Sequence, residues 1–252
     1  MFEIIYGINT INEVFKINPK ILVCIYLFKK NNNIRLKKLI KKLCTKGIKI
    51  KLNNNKFFLN KVYKKSHQGI IALIKNKKKY NEHDLFKIIK KKKNILILIL
   101  DCIKDPRNLG ACLRCAEAAG VNVVIIPKNR SSPINSTVKK VSSGSIYNLK
   151  IIKVINISRT IVLLKKLKIL VIGSIINSNN NIFKTKLSGS LALVVGSEDK
   201  GLRNLTKKYC DILISIPMLG SISSLNVSVA TGIILFEIIR QRVLTQDKIK
   251  LI

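Results

Sequence analysis

The sequence predicts an α/β protein whose larger domain contains a mainly parallel sheet. Residues 95–100, ILILIL, form an unbroken apolar run, which is typical of a strand buried on both faces. A loop, a helical pattern over about 109–119 that ends at Gly120, and a second apolar strand at 121–127 follow, and together they form a β-α-β unit. Helical patterns between further strands extend the same sheet. Those strands are expected at about 149–154, 169–173, 191–196 and 212–217.

A smaller α/β domain is predicted in front of this sheet, at residues 1–75. Its pattern alternates short strands with helices, and one helix is amphipathic and basic. The elements are expected at 21–28 (strand), 34–44 (helix) and 69–75 (strand). Residues 76–94 are charged at both ends around a short helical pattern, so we interpret them as a linker. The larger domain then spans residues 95–252.

The charge of the chain favours a polyanionic partner. It has 48 Lys and Arg against 12 Asp and Glu, a formal net charge of +36, and nucleic acid is the simplest partner. Only eight of the basic residues are Arg, and abundant Lys, Ile and Asn also match an A+T-biased genome, so composition explains part of the charge. Lysines are concentrated in the first domain. They either contact the phosphates of a nucleic acid or only keep the surface solvated. They are Lys29, Lys30, Lys37, Lys38, Lys41, Lys42 and Lys46.

The composition argues against a membrane or secreted protein. The chain is 47% hydrophobic, which suffices for a sizeable core, yet no apolar run approaches the roughly 18 residues of a membrane span. The N-terminal stretch contains Glu3 and lacks the basic and apolar regions of a signal peptide. We therefore expect a cytoplasmic protein with no membrane partner.

The cysteines and the missing nucleotide motifs exclude several classes of site. Six scattered cysteines in a chain of this length argue against a disulfide framework. Cys112 and Cys115 form a C-x-x-C without a second pair, and the only histidines are His67 and His83, so buried helical cysteines are favoured over a zinc or redox site. No G-x-G-x-x-G or G-x-x-x-x-G-K-S/T follows a strand, which argues against a dinucleotide site or a P-loop.

A strand, turn and helix at residues 214–237 form a junction that suits a ligand. The helix begins near Asn226, a candidate N-cap, after a turn rich in Gly and Ser. Free backbone N–H groups there suit an adenosine-type ligand, although an ordinary capped helix explains the same pattern. The helix is expected to bury Val227, Ala230, Ile233, Ile234 and Ile238. Ligands of parallel sheets gather beyond the carboxyl ends of the strands. The loops there are 101–110, 173–189, 196–204 and 217–226.

Three segments of the larger domain resemble motifs 1, 2 and 3 of the SpoU-type SPOUT methyltransferases, in the same order. They are DCIKDPRNLGACLRCAEAAG (101–120), LVVGSEDKGL (193–202) and ISIPMLGSISSLNVSVATG (214–232). IYGINTINEVF and SHQGIIALIK in the first domain resemble the substrate-binding domain of one branch, which methylates a guanosine 2′-hydroxyl in the peptidyl-transferase region of 23S ribosomal RNA. The resemblance covers essentially the whole chain.

The resemblance implies a fold and an activity. The larger domain would be a SPOUT-type sheet with a C-terminal trefoil knot, preceded by a small L30e-like RNA-binding domain, and two copies would form a homodimer. The activity would be S-adenosylmethionine-dependent 2′-O-methylation of a guanosine in 23S rRNA. Two alternatives remain, namely the same chemistry on transfer RNA and a non-catalytic RNA-binding factor for ribosome assembly.

The resemblance also implies the residues of the site. The residues that would bind the cofactor are Gly196, Ile216, Met218 and Leu225. The residues that would take part in catalysis are Asn108, Arg114, Glu198, Ser224 and Asn226. Methyl transfer requires that the ribose oxygen approach the methyl group in line and lose its proton. In this family the arginine of motif 1 is proposed to remove that proton. A guanidinium is almost never deprotonated in proteins, so Arg114 is either an unusual base assisted by an RNA phosphate or a stabiliser of the developing alkoxide.

Simpler structural roles explain some of these residues equally well when each is taken alone. Arg114 and Glu117 have the spacing of a surface helix pair, Asn108 has the chemistry of a helix N-cap, and Glu198 that of a solvated loop acid. One position departs from the family pattern, because Asp199 stands where a glycine is usual. If that glycine adopts a positive φ, aspartate is among the residues that tolerate it best, and we expect a modest cost.

Overall fold

The computed structural model divides the chain into two compact units. One comprises Met1–Lys78 with Ser143–Asn148, and the other comprises Lys79–Ser142 with Leu149–Ile252. The residues that the structure describes are 2–28, 33–52, 67–75 and 80–245.

The first unit is a mixed sheet with helices, as the alternating pattern predicts. Its described residues form a four-stranded sheet in the order β1-β4-β2-β3, in which β2 and β3 are parallel and β4 is antiparallel to both β1 and β2. The elements are β1 (Phe2–Tyr6), α1 (Ile8–Ile17), β2 (Leu22–Leu27), α2 (Ile34–Thr45), β3 (Ile50–Leu52) and β4 (Ile70–Lys75).

Helix α2 confirms the predicted basic amphipathic helix. The Asn33 side chain accepts a hydrogen bond from the Arg35 backbone N–H, which caps the first turn. Its three leucines are buried, whereas Ile34 and the lysines of the helix are exposed to solvent. The buried residues are Leu36, Leu39 and Leu43, and the exposed lysines are Lys37, Lys38, Lys41 and Lys42. Lys29 and Lys30, from the same predicted cluster, lie outside the described residues.

Residues 143–148 belong to the first unit although they are distant from it in sequence. The Tyr147 hydroxyl donates a 2.9 Å hydrogen bond to a Glu3 carboxylate oxygen. Burial raises the pKa of Tyr147, and the neighbouring Glu3 charge raises it further. Gly144 has a φ of +87°, and a side chain there would press against Glu13. The sequence pattern contained no sign of this long-range pairing.

The second unit contains the predicted parallel sheet, and every strand pairing found in it is parallel. In the described residues the sheet has six strands in the order β10-β8-β9-β5-β6-β7. Its strands are β5 (Leu96–Leu100), β6 (Val123–Pro127), β7 (Ile151–Val154), β8 (Leu170–Ser174), β9 (Leu191–Val195) and β10 (Ile212–Ile214). Its helices are α3 (Glu82–Lys90), α4 (Pro106–Ala118), α5 (Ser136–Val141), α6 (Ile157–Lys166), α7 (Asn204–Tyr209) and α8 (Val227–Thr245).

Helix α3 occupies part of the stretch interpreted as a linker, residues 76–94. Asn81 and Asp84 form a reciprocal capping box at its start, and Leu85 and Ile89 are buried in the core of the second unit. The described part of this stretch is therefore an integral helix and not a spacer. Residues 76–79 of the predicted linker lie outside the described part of the chain.

Several element boundaries differ from the predicted ones. Strand β10 is shorter than predicted because Ser215 leaves the sheet and exchanges backbone hydrogen bonds with residues 180 and 182. Helix α4 begins at Pro106, since the Asp105 side chain caps it through the Arg107 N–H. Asn108 is thus not the N-cap. The predicted C-cap is confirmed, because Gly120 has a φ of +66° and the Val121 N–H bonds to the Ala116 carbonyl.

Helix α8 confirms the predicted N-cap but buries a different set of side chains. The Asn226 Oδ1 atom accepts a 2.9 Å hydrogen bond from the Ser228 N–H. Ala230 and Ile233, which were expected in the core, are only half-buried. The buried members are Val227, Thr231, Ile234, Leu235, Glu237 and Ile238. Within the described residues, no helix has the length and apolarity that crossing a membrane requires.

Candidate active site

A cavity of about 480 Å³ lies at the carboxyl ends of β8 and β9, beside the start of α8. This volume falls in the range of small-molecule sites. Most of the lining comes from the loops after β8, β9 and β10, three of the places where ligands of parallel sheets gather. Seven of the nine residues predicted for the site line it. They are Gly196, Glu198, Ile216, Met218, Ser224, Leu225 and Asn226.

The turn after β9 forms one wall, and it depends on glycine. Ser197 and Gly201 exchange two backbone hydrogen bonds of 3.1 and 2.9 Å, which close residues 197–201 into a tight turn. The turn brings the Gly201–Leu202 peptide against Gly196 so closely that a β-carbon on Gly196 would overlap it. Gly201 itself has a φ of +61°. Gly196 therefore permits a backbone approach that no other residue allows.

Three side chains from separate motifs form a hydrogen-bonded chain beside the cavity. The Asn226 Nδ2 donates to Asn108 Oδ1 at 3.0 Å, and the Asn108 Nδ2 donates to Glu198 Oε1 at 2.9 Å. The Asn226 Oδ1 also accepts from the Ser228 hydroxyl at 2.7 Å. Asn108 is thus a bridge between the other two residues, and Glu198 is a hydrogen-bonded acid and not merely a solvated one.

Lys104 makes a second link between the first two motif loops. Its backbone N–H donates to Glu198 Oε2 at 3.4 Å, and its ammonium lies 3.2 Å from Asp199 Oδ2. Both side chains of the ion pair are largely exposed, so the pair contributes little to stability. Asp199 does not adopt a positive φ, whereas Gly201 does. The aspartate at position 199 therefore carries no left-handed backbone strain.

Arg114 and Ser224 have no hydrogen bond to the Asn108 chain. Ser224 lines the cavity and is exposed. Arg114 is exposed on α4, outside the cavity lining, and lies six residues after Asn108, or about 9 Å further along the helix. Within a single copy of the protein, eight of the nine predicted residues therefore lie at or beside the cavity. Arg114 is the exception.

The two cysteines of the C-x-x-C are structural in this arrangement. Cys112 is buried on α4, with its sulfur 3.6 Å from the Thr231 hydroxyl of α8, and burial raises its pKa to about 12. Cys115 is half-buried and donates to the Ser228 carbonyl at 3.8 Å. The prediction of buried helical cysteines is confirmed for Cys112. In the part of the chain that the structure describes, no group of three His, Cys, Asp or Glu could hold a metal ion.

Comparison with known protein families shows to which family the chain belongs. The model of the SpoU rRNA Methylase family matches residues 95–236, and a model described as RNA 2'-O ribose methyltransferase substrate binding matches residues 4–80. The chain belongs to the SpoU rRNA methylase family. The first match covers most of the second unit, and the other covers most of the first.

SpoU methylases of closely similar sequence span nearly the full length of this chain. The 23S rRNA (guanosine-2'-O-)-methyltransferase RlmB of Photorhabdus laumondii is 45% identical over 242 residues, which cover 96% of this chain and 99% of that protein. The protein of the same name from Escherichia coli K12 is 44% identical over 242 residues, covering 96% of this chain and 100% of the other.

Solved structures of methyltransferases share the fold. AviRb from Streptomyces viridochromogenes in complex with the cofactor AdoMet superposes with a TM-score of 0.74 at 20% identity, covering 96% of this chain and 91% of that one. An AdoMet-bound rRNA methyltransferase from Sinorhizobium meliloti gives a TM-score of 0.68 at 18% identity, over 95% and 87% of the two chains. At these identities the likeness establishes the fold.

The residues around the cavity of this SpoU methylase fit an S-adenosylmethionine molecule. Ile216, Met218 and Leu225 offer apolar surface, which suits an adenine ring and a methionine chain. The missing side chain of Gly196 lets the Gly201–Leu202 peptide pack against it, which sets the position of the turn that forms one wall. Glu198 supplies negative charge at the cavity, which complements a sulfonium. The cavity thus offers apolar and acidic groups of the kind that would hold this cofactor.

Sequence reasoning missed an ionic cluster around a buried carboxylate in the second unit, beside the 196–202 wall of this cavity. Asp101, the residue after β5, has no exposed surface and contacts Arg203 and Thr206. The hydrogen bond to Asp101 raises the pKa of Arg203. An acidic residue directly after a buried apolar strand was the available signal, but the sequence alone did not indicate its partners, which follow about 100 residues later.

Proposed function

We propose that this chain is an S-adenosylmethionine-dependent methyltransferase that modifies the ribose 2′-oxygen of a guanosine in 23S ribosomal RNA. The observation that carries the proposal is the cavity at which motifs 1, 2 and 3 meet through the Asn226–Asn108–Glu198 hydrogen bonds. Relatives at 44–45% identity over nearly the whole chain have that activity in their names. The cofactor and the reaction type follow from the family.

The residues of the chain have two tasks in this reaction, positioning and proton removal. When bound, S-adenosylmethionine supplies the methyl group, and the ribose oxygen must reach it in line as its proton leaves. We propose that Asn108, Glu198 and Asn226 hold the motif loops in register, and that Ser224 contacts the RNA at the open side of the cavity. We assign Arg114 to the ribose oxygen, either as its base or as the cation that stabilises the developing alkoxide.

We propose that the working unit is a homodimer. Arg114 lies outside the cavity lining of its own chain, so a second copy is a natural source for the arginine at each cavity. Exposed apolar side chains on α8 supply a surface for such pairing, and the largest are Val229, Phe236 and Leu244. Light scattering of the purified protein tests the proposal, and a monomeric mass at micromolar concentration would exclude it.

We further propose the two finer features of the fold and a cytoplasmic location. A trefoil knot of the C-terminal segment is supported by β10 lying beside β8, with both the 196–202 and 216–226 segments around one cavity. An L30e-like first domain is supported by its mixed sheet and by the match of residues 4–80 to a substrate-binding model. The cytoplasm follows from a ribosomal RNA substrate.

The activity is tested directly with purified protein, labelled cofactor and large-subunit RNA. We expect a single 2′-O-methylguanosine, located by mapping ribose methylation along the RNA. Transfer RNA serves as the parallel substrate, because the same chemistry on transfer RNA is the second candidate function. Methylation of transfer RNA alone would replace the proposed substrate, and cofactor binding without any transfer would indicate a non-catalytic assembly factor.

Reversing charge on α2 is expected to weaken RNA binding without affecting the cofactor. Lys37 and Lys41 are exposed and four residues apart, so they lie on one face of the helix. A variant with both changed to glutamate should bind RNA at least about tenfold more weakly and show a shallower dependence on salt, since fewer counterions are released. Filter binding at several salt concentrations and calorimetry with the cofactor measure the two effects.

The matched control makes the same charge change at Lys87 and Lys91, which are exposed on and just after α3 with the same spacing. This variant carries the same net charge as the α2 variant. Equal loss of RNA affinity in both variants would mean that overall charge, and not the α2 face, binds the RNA.

A further inference from the structure

We propose that Asp101 is a positioning residue for cofactor binding, because it fastens both ends of the 196–202 loop that forms one wall of the cavity. The inference rests on the proposed function only in that the cavity binds S-adenosylmethionine. It concerns a residue that touches neither the cavity nor the reacting atoms.

The Asp101 carboxylate is completely buried at the end of β5. Its Oδ2 accepts a 3.1 Å hydrogen bond from Arg203 Nε and a 2.8 Å bond from the Thr206 hydroxyl, and Oδ1 lies 2.7 Å from Arg203 Nη2. Thr206 is also fully buried. A buried carboxylate with one cationic partner is held strongly in place, because releasing that partner would leave an uncompensated charge in the interior.

These contacts reach both ends of the loop. The Asp101 backbone N–H donates a 2.8 Å hydrogen bond to the carbonyl of Val195, the last residue of β9 before Gly196. The carboxylate holds Arg203, the residue directly after Leu202, and Thr206 in the first turn of α7. One residue thus contacts the chain where it leaves β9, through its backbone, and where it enters α7, through its side chain.

The position of the far end matters because the loop folds back on its own start. The Gly201–Leu202 peptide lies against Gly196 with no space for a β-carbon between them, and Leu202 is 2% exposed in the core. A shift of Arg203 therefore moves the backbone that faces Gly196, and with it the neighbouring Glu198. The Asp101–Arg203 pair transmits its geometry to the cavity through the main chain of Leu202, the residue directly before Arg203.

Changing Asp101 to asparagine is expected to weaken cofactor binding more than it slows the transfer step. Asparagine has the same size and retains one acceptor, but it cannot compensate the Arg203 charge. We expect the dissociation constant and the KM for S-adenosylmethionine to rise by roughly tenfold or more, with kcat at saturating cofactor within about threefold of wild type. Calorimetry and steady-state RNA methylation measure these quantities.

Two further variants keep the test decisive. Arg203→Lys keeps the buried carboxylate and the positive charge but loses the two-point contact between the two side chains. It should therefore weaken cofactor binding, though less than Asp101→Asn does. We expect this variant to fold even if Asp101→Asn does not. Asp211→Asn is the control, because Asp211 also pairs with a cation, Lys165 at 2.7 Å, and accepts from a backbone N–H, but its partners Lys165 and Val171 lie outside the 196–202 loop. It should lower the melting temperature and leave cofactor affinity unchanged.

The inference is overturned if Asp101→Asn and Arg203→Lys bind the cofactor with wild-type affinity, whatever happens to their melting temperatures. It is also overturned if Asp211→Asn loses as much affinity as they do, since the effect would then be general destabilisation. Failure of the wild-type protein to bind S-adenosylmethionine would instead contradict the proposed function, so the two failures are distinguishable.

Discussion

Replacing Gly196 with alanine is expected to abolish cofactor binding in a protein that still folds. The added methyl group would overlap the Gly201–Leu202 peptide, so the 197–201 turn must move away from the cavity. Forced overlap of this kind costs about 1–3 kcal/mol, which a domain of ordinary stability survives. Displacement of the wall by about 1 Å should reduce methylation at least about 100-fold. Calorimetry and single-turnover methylation provide the measurements.

Gly220 supplies the matched control for this substitution. It lies in the loop before α8, has no positive φ, and an added β-carbon there meets no atom within 4 Å. Gly220→Ala should therefore bind the cofactor like the wild-type protein. Near-normal cofactor affinity in Gly196→Ala would show that the 196–202 turn is not the wall against which the cofactor packs.

Replacing Arg114 with alanine is expected to remove most of the methyl-transfer activity while leaving cofactor binding intact. Arg114 is exposed and does not line the cavity, so its loss should affect neither folding nor cofactor affinity. A group that removes the proton of the ribose hydroxyl typically raises the reaction rate by about 10²- to 10⁴-fold. We expect a loss of similar size if Arg114 instead stabilises the alkoxide, so kcat should fall by about that amount in either case. Arg159→Ala, an exposed arginine on α6, is the control. Full activity of Arg114→Ala would exclude both roles proposed for it.

The Arg114→Lys variant separates those two roles. Lysine keeps the positive charge but has a pKa of about 10.4, well below that of arginine. If the residue is the base, activity of the lysine variant should rise with pH and level off near that value, because the neutral amine is the active form. If the residue stabilises the alkoxide, activity should instead decline as the ammonium loses its proton.

Mixing two inactive variants tests whether Arg114 serves the cavity of a partner copy. Random pairing of Arg114→Ala with Gly196→Ala chains would make half of the dimers mixed, each with one intact composite site, so about a quarter of wild-type activity should return. If Arg114 acts within its own chain, each chain of the mixed dimer lacks one essential element and no activity returns. A mixture that stays inactive would therefore contradict the shared site.

The sequence predicted the elements well where the pattern was local. The apolar run at 95–100, the Gly120 C-cap and the Asn226 N-cap depend on side chains within a few residues, and the structure confirms each of them. The interpretation of residues 76–94 as a linker differs from the structure for a related reason. The charged residues at both ends suggested a solvated linker, whereas α3 is fixed in the core by two apolar residues, Leu85 and Ile89.

Sequence alone determined that the chain is an α/β protein with a parallel sheet, and three motifs in order indicated which loops would meet. Tertiary structure decided how they meet. Asn108 became a bridge and not a cap because Asp105 took the capping position, and the fully buried Asp101 acquired partners about 100 residues away. The physical reason is that periodicity and capping are set by neighbours along the chain, whereas hydrogen bonds between loops depend on where a sheet order of β10-β8-β9-β5-β6-β7 brings their ends.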